Sequence, residues 1–142
     1  MHPRRLAREG ILGALYALEL TGEKKEKVLD DLFERNSFDG ETKAFITELY
    51  GNIVDNKIWA EQLISDNLDN WKLDRVATLD QLIMLIAVNE IYFNDGIPPK
   101  VSISEAIEIA KMYSTEDSAS FVNGVLDAIF KHKLNNLSLI HI

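Results

Sequence analysis

The stretch LIMLIAV, residues 82–88, is the most apolar part of this 142-residue chain and decides its fold. It lies inside a longer run, Val76 to Phe93, that is apolar on nearly all sides when it is drawn as a helix. A helix with this pattern is surrounded by neighbours. The run is shorter than the ~20 apolar residues that a membrane span needs, so it predicts the central helix of a globular core.

The segments on both sides of this run repeat apolar residues every three or four positions, which predicts amphipathic helices. Ahead of the central helix, the pattern predicts helices over Arg4–Leu20, Lys24–Arg35 and Asp39–Leu68, and then a connector over Asp69–Asp74 around Trp71. The helical pattern from Asp39 onward fits either one helix or two that meet near Asp55. Thr21-Gly22 is a typical helix end.

Two S-x-x-E/D sequences predict the starts of the last two helices, because such residues can cap the free N–H groups of a first turn. SISE at Ser102–Glu105 opens a helix that runs through Met112, and STED at Ser114–Asp117 opens the last helix. Prolines occur only at positions 3, 98 and 99, and no strand-like alternation is present. The sequence therefore predicts an all-α, compact bundle of about seven helices, with a loose tail over residues 135–142.

The composition is that of a soluble globular protein, with 46% hydrophobic and 27% charged residues and a formal net charge of −8. The absence of cysteine excludes disulfides, thiolate metal sites and a cysteine nucleophile, and it fits a cytoplasmic protein. Nucleotide-binding, zinc-protease and serine-hydrolase motifs are also absent. The three histidines lie near the chain ends. We therefore expect no catalytic residues, no metal and no cofactor.

Three arginines, Arg4, Arg5 and Arg8, stand close together at the start of this acidic chain. They could be solvated charges, with Arg5 and Glu9 paired along the helix. Cations at a helix N-terminus oppose the macrodipole, however, which favours a role in binding anions. Because screening limits the field of the acidic body to ~8–10 Å, this end can still take phosphates, weakly and with help from stacking or a partner.

Three stretches are similar to the NusB family of transcription antitermination factors. They are RRLAREGILGALYALEL (residues 4–20), LDQLIMLIAVNEI (79–91) and STEDSASFVNGVLD (114–127), and the resemblance extends over roughly residues 3–131. It implies one helical domain over residues 1–134, built from two packed sub-bundles over about 1–70 and 71–134. It further implies a bacterial protein without a membrane segment that can form a homodimer when free.

In function, the resemblance implies a non-enzymatic factor that binds single-stranded boxA-type RNA together with the ribosomal protein NusE. The complex would join the RNA polymerase elongation complex and suppress termination, notably in ribosomal RNA operons. The RNA-binding residues that the resemblance implies are Arg4, Arg5, Arg8, Tyr113, Asp117, Ser118 and Phe121. Asp80 is the implied contact with the protein partner. Tyr113 would stack on a base, whereas Phe121 lies on the apolar stripe and favours core packing.

The chain departs from the family pattern where basic residues are common, with Leu6, Gln81 and Leu85 in their places. Fewer cations release fewer counterions, so we expect weaker RNA affinity and a shallower salt dependence. Two other functions remain open. One is a helical domain related to that of ribosomal RNA cytosine methyltransferases, although this chain has no catalytic cysteine. The other is an adaptor that binds only protein.

Overall fold

A computed structural model describes residues 3–69 and 72–140, and the side chains through residue 136. The expectations for Trp71 and for the last two residues of the tail lie outside the described residues. Within the described ranges the fold is all-α, which confirms the predicted class. The helices are α1 (Pro3–Thr21), α2 (Lys25–Arg35), α3 (Gly40–Asp55), α4 (Lys57–Asp66), α5 (Thr78–Phe93), α6 (Pro99–Tyr113) and α7 (Glu116–Ile140), with a 3₁₀ helix at Leu73–Arg75.

The central position of α5 follows from its apolar surface. Every residue from Leu82 to Ile91 is buried, and α5 packs against α1, α3, α4, α6 and α7. Buried side chains from all seven helices form one hydrophobic core around it. The division into two sub-bundles near residue 70 stays a prediction.

The directions of the helices around α5 determine which chain segments meet. The start of α1 lies beside the end of α5, since Arg8 contacts Glu90. At the other end, Leu18 of α1 lies beside Leu82. α1 and α5 are therefore antiparallel. α7 runs parallel to α5, because Phe121 lies near Asp80 and Lys133 lies over the ring of Tyr92.

Two of the predicted helix starts are wrong. α6 begins at Pro99, directly after Pro98, because a proline in the first turn loses no helical hydrogen bond. Ser102 is consequently a buried helical residue, and its hydroxyl donates to Glu90 Oε1 at 3.0 Å. The cap of α7 is Thr115, not Ser114, since Thr115 Oγ1 accepts from the Ser118 amide at 3.0 Å.

The ends of two other helices show where local chemistry decides a boundary. α1 ends at Thr21, and the next residue, Gly22, has a φ of +66° that suits glycine and an amide that donates to the Leu18 carbonyl at 3.0 Å. The helical pattern from Asp39 divides into α3 and α4 at Asn56, close to the predicted meeting point. α7 continues through Ile140, so residues 135–140 extend a helix where the sequence predicts a loose tail.

The Thr115 cap gives a test of the α7 start. T115A removes the acceptor for the Ser118 amide and should lower the free energy of unfolding by about 1 kcal/mol in urea titrations. T47A is the matched control, because Thr47 is exposed inside α3 and its hydroxyl only donates back to the Lys43 carbonyl. Alanine favours a helix interior, so T47A should change stability by less than about 0.5 kcal/mol. Equal losses in both variants would contradict the cap.

Candidate nucleic-acid interface

Arg8 is a core residue, with only 3% of its surface exposed. Its guanidinium donates to Glu90 through two bonds, Nε to Oε2 at 2.6 Å and Nη2 to Oε1 at 2.7 Å. Its third nitrogen, Nη1, lies 3.4 Å from Glu105 Oε1. A fork of this kind satisfies a buried carboxylate in the most specific geometry available. These donors are directed into the protein and not toward solvent, so this geometry speaks against a contact of Arg8 with RNA, and that contact stays a prediction.

Arg5 lies at the surface, on the side of α1 that faces α6. Its Nε donates to Glu105 Oε2 at 3.1 Å, and its Nη2 donates to the same oxygen. A third of the side chain remains exposed. The hydrogen bond to Glu105 raises the pKa of the Arg5 guanidinium above its ordinary value, and the nearby Glu108 and Glu9 carboxylates act in the same direction. Arg5 therefore carries a full positive charge inside an acidic neighbourhood.

Arg4 faces α3 instead. The carbon at the centre of its guanidinium lies 4.6 Å from the centre of the Phe45 ring, and that of Arg8 lies 5.6 Å from the same ring. Such stacking fixes an arginine without neutralising it. The three arginines that are close in sequence thus have three different surroundings: α3, α6 and the core.

Tyr113 connects the start of α1 to the end of α6. About half of its surface is exposed, and its hydroxyl donates to Glu9 Oε1. This hydrogen bond raises the pKa of Tyr113, because a carboxylate acceptor favours the protonated phenol. The contact places an accessible aromatic ring between the arginine-bearing helix and the turn that precedes α7.

A groove of about 260 Å³ lies beside that turn. Its walls come from the segment before α5 and from the first turns of α7. The lining residues are Arg75, Val76, Ala77, Asp80, Asp117, Ser118 and Phe121. The structure thus brings together three of the predicted RNA-binding residues and the predicted partner residue. Arg75 adds an exposed cation that the sequence analysis did not single out.

Phe121 and Asp80 have different environments within this groove. Phe121 is partly buried against the core while it also lines the groove, so core packing does not remove it from the surface. Asp80 is 4% exposed and lies in the first turn of α5, where the helix dipole favours a carboxylate. Among the described residues, its buried Oδ1 has no hydrogen-bond partner. Its role as a partner contact stays a prediction.

Leu6, Gln81 and Leu85 stand where basic residues are common in the family, and the three side chains have different environments. Leu85 is buried in α5, so its position is not on the surface that would meet RNA. Gln81 holds the segment before α5, since its Nε2 donates to the Leu73 carbonyl at 2.9 Å and to the Val76 carbonyl at 2.7 Å. Leu6 is 43% exposed at the arginine end of α1. Only Leu6 and Gln81 are therefore positioned to lower the surface charge.

The described ranges contain neither a cluster of metal ligands nor a helix that could span a membrane. No three His, Cys, Asp or Glu side chains there converge as metal ligands would. None of the described helices has both the length and the apolar character needed to cross a bilayer.

These features define an all-helical protein whose central helix supports one polar, aromatic-bearing face. The chain belongs to the NusB family, whose model matches residues 5–131. It is 42% identical to the transcription antitermination protein NusB of Chloroherpeton thalassium over 89% of this chain, although it spans only 61% of that protein's length. It is 39% identical to the NusB protein of Methylacidiphilum infernorum over 92% of both chains.

Solved structures give the same assignment. A crystal form of T. maritima NusB matches with a TM-score of 0.85 and 36% sequence identity over 92% of each chain. A chain from a complex of the antitermination factors NusB and NusE with double-stranded RNA matches with a TM-score of 0.84 and 25% identity, over 93% of this chain and 98% of that one.

The buried pair of Arg8 and Glu90 gives a stability prediction. R8A leaves Glu90 buried without its counterion and should destabilise the protein by about 3–5 kcal/mol in urea unfolding. The double variant R8M/E90L replaces both charges with apolar side chains and should recover most of that loss. If the double variant were as unstable as R8A, the cost would come from lost packing and not from an unpaired charge.

Tyr113 gives a pH prediction. Its pKa should lie above 10 in an ultraviolet titration, with Y113F identifying its contribution among the four tyrosines. E9Q should bring this pKa back toward 10, since the carboxylate acceptor is lost. The contact should stabilise the fold below pH 10 and lose its effect as the pH rises through the folded-state pKa. An unchanged titration in E9Q would contradict the contact.

Proposed function

We propose that this protein is an RNA-binding transcription antitermination factor. It binds single-stranded boxA-type RNA together with the ribosomal protein NusE and acts on elongating RNA polymerase, notably in ribosomal RNA operons. It does this by binding and not by catalysis, and it works in the bacterial cytoplasm. Its membership of the NusB family and the NusB–NusE–RNA complex among its structural neighbours support this function.

The observation that carries the proposal is that cationic and aromatic side chains follow one another along one face of the protein, from the start of α1 to the groove. Arg5 lies beside Glu9, Glu9 accepts from Tyr113, and Tyr113 ends the helix that precedes the groove with Phe121. A single strand needs such a sequence of cations for its phosphates and rings for its bases. The Tyr113 and Phe121 rings provide the stacking surfaces, and Arg5 and Arg75 provide the charges at either end.

An adaptor that binds only protein is the second candidate. Arg8 is buried in ion pairs, Arg5 is paired with a carboxylate, and the chain carries a net charge of −8. These facts reduce the cationic surface on which RNA binding depends. An adaptor would bind NusE with full affinity and give a flat RNA titration.

Fluorescence anisotropy with a labelled boxA-type RNA, in the presence and absence of NusE and over a series of salt concentrations, distinguishes the two candidates. We expect NusE to raise RNA affinity at least about tenfold, because it adds contacts to the same strand. F121L retains the apolar bulk at the groove but has no ring. It should weaken the complex about 5- to 100-fold through lost stacking. R4A/R5A should also weaken binding and flatten the salt dependence.

Two controls make this test specific. K27A removes a cation from α2, where Lys27 pairs with Glu23 and Asp31, and it should leave RNA binding unchanged. A scrambled RNA of equal length measures binding that does not depend on sequence. If NusE gave no gain and neither F121L nor R4A/R5A caused a loss, the adaptor would be the correct function.

A further inference from the structure

The Arg5 guanidinium is held by only one of its edges. Nε and Nη2 both donate to a single oxygen, Oε2 of Glu105. Arg5 and Glu105 lie 100 positions apart in sequence, so this contact is a product of the fold and not of helix spacing. The Nε and Nη2 edge can also bind a phosphate, because carboxylate and phosphate oxygens accept from the same pair of N–H groups.

Glu105 is itself fixed in place. Its side chain is 12% exposed, and its other oxygen, Oε1, lies 3.4 Å from Nη1 of Arg8. Arg8 in turn is fixed by the buried Glu90. The carboxylate that occupies Arg5 is therefore mostly buried, and its other oxygen lies beside an arginine of the core.

We propose that Glu105 occupies the phosphate position of Arg5 in the free protein and so determines how tightly the RNA site binds. This inference rests on the proposed function. To bind along the Nε–Nη2 edge of Arg5, RNA must exchange one of its phosphate oxygens for Glu105 Oε2. Glu105 acts through Arg5 and does not touch the RNA, so it is an affinity-determining residue of the site.

The remaining contacts indicate that Arg5 and Glu105 can separate without unfolding the core. Arg8 has two bonds to Glu90 that do not involve Glu105, and Ser102 donates to the same Glu90. Arg5 is at the surface, where solvent or a phosphate can replace the carboxylate. The exchange therefore changes one surface ion pair and leaves the buried one intact.

The experiment compares E105Q with E108Q in the NusE complex. Both substitutions remove one negative charge near Arg5, but Glu108 is half-buried, pairs with Lys111 and acts on Arg5 through its charge without a hydrogen bond. E105Q frees the guanidinium and should raise boxA-type RNA affinity about fivefold, the upper range for a partly exposed ion pair. In the wild-type complex the displaced Glu105 takes up a cation, which offsets the counterion released at that phosphate. E105Q has no such uptake, so it should steepen the salt slope by about 0.7, the value for one phosphate on a single strand. E108Q should change affinity less than about twofold and leave the slope unchanged.

A double variant isolates the mechanism. In R5A/E105Q the gain from E105Q should disappear, because no arginine remains to be released. The inference is overturned if the gain persists in the R5A background, if E108Q matches E105Q, or if E105Q weakens binding while its circular dichroism spectrum and urea midpoint stay native. Absence of RNA binding by the wild-type complex would contradict the proposed function instead.

A second measurement needs no RNA. Nitrogen-15 spectra resolve arginine Nε–H groups, and the Arg5 signal is identified by its absence in R5A. Inorganic phosphate should shift this signal at a concentration several-fold lower in E105Q than in the wild-type protein. Equal phosphate dependence in the two proteins would overturn the inference even if RNA binding were lost for another reason.

Discussion

The structure depends on one buried ion pair, between Arg8 of α1 and Glu90 of α5. Both side chains are almost fully removed from water, and burying two charges is costly unless every donor and acceptor is satisfied. Ser102 and Glu105 of α6 complete the coordination. Apolar packing alone allows helices to slide or rotate with modest losses. The contacts of this network join α1, α5 and α6 at specific atoms, so they favour one arrangement of these three helices.

The same network also helps to fix the positions of surface residues. Glu105 belongs to it through Arg8, and Glu105 also holds Arg5. One residue further along α1 from Arg8, Glu9 holds Tyr113 at the end of α6. The start of α1 and the turn before α7 are therefore kept adjacent by contacts that lead back to a buried charge. A nucleotide strand that lies on this face would meet a surface whose spacing is set before it arrives.

The sequence predicted the helices well because periodicity is a local property. It placed α5 correctly from its apolar surface, and it placed the division between α3 and α4 near Asn56. It failed where a distant residue decides the outcome. Arg8 looks like a surface cation until it is placed beside Glu90, 82 positions away. One signal was available: a glutamate that directly follows a long apolar run of a central helix is buried and requires a cationic partner, and Glu90 is such a residue. The prediction of the α6 start failed for a local reason. Pro99 begins the helix three residues before Ser102, the serine of the capping pattern.

The charge distribution of this face bears on how the proposed RNA site would discriminate among RNAs. Of the three clustered arginines, one neutralises a core carboxylate, one is paired at the surface, and one is stacked on Phe45. Binding of RNA that does not depend on sequence comes almost entirely from cations that release counterions. A face with few available cations and a net-acidic body therefore has little affinity for arbitrary RNA. In the proposed complex, aromatic rings, the groove and a protein partner would supply a larger share of the binding, and such contacts respond to the shape and identity of the bases more than phosphate contacts do.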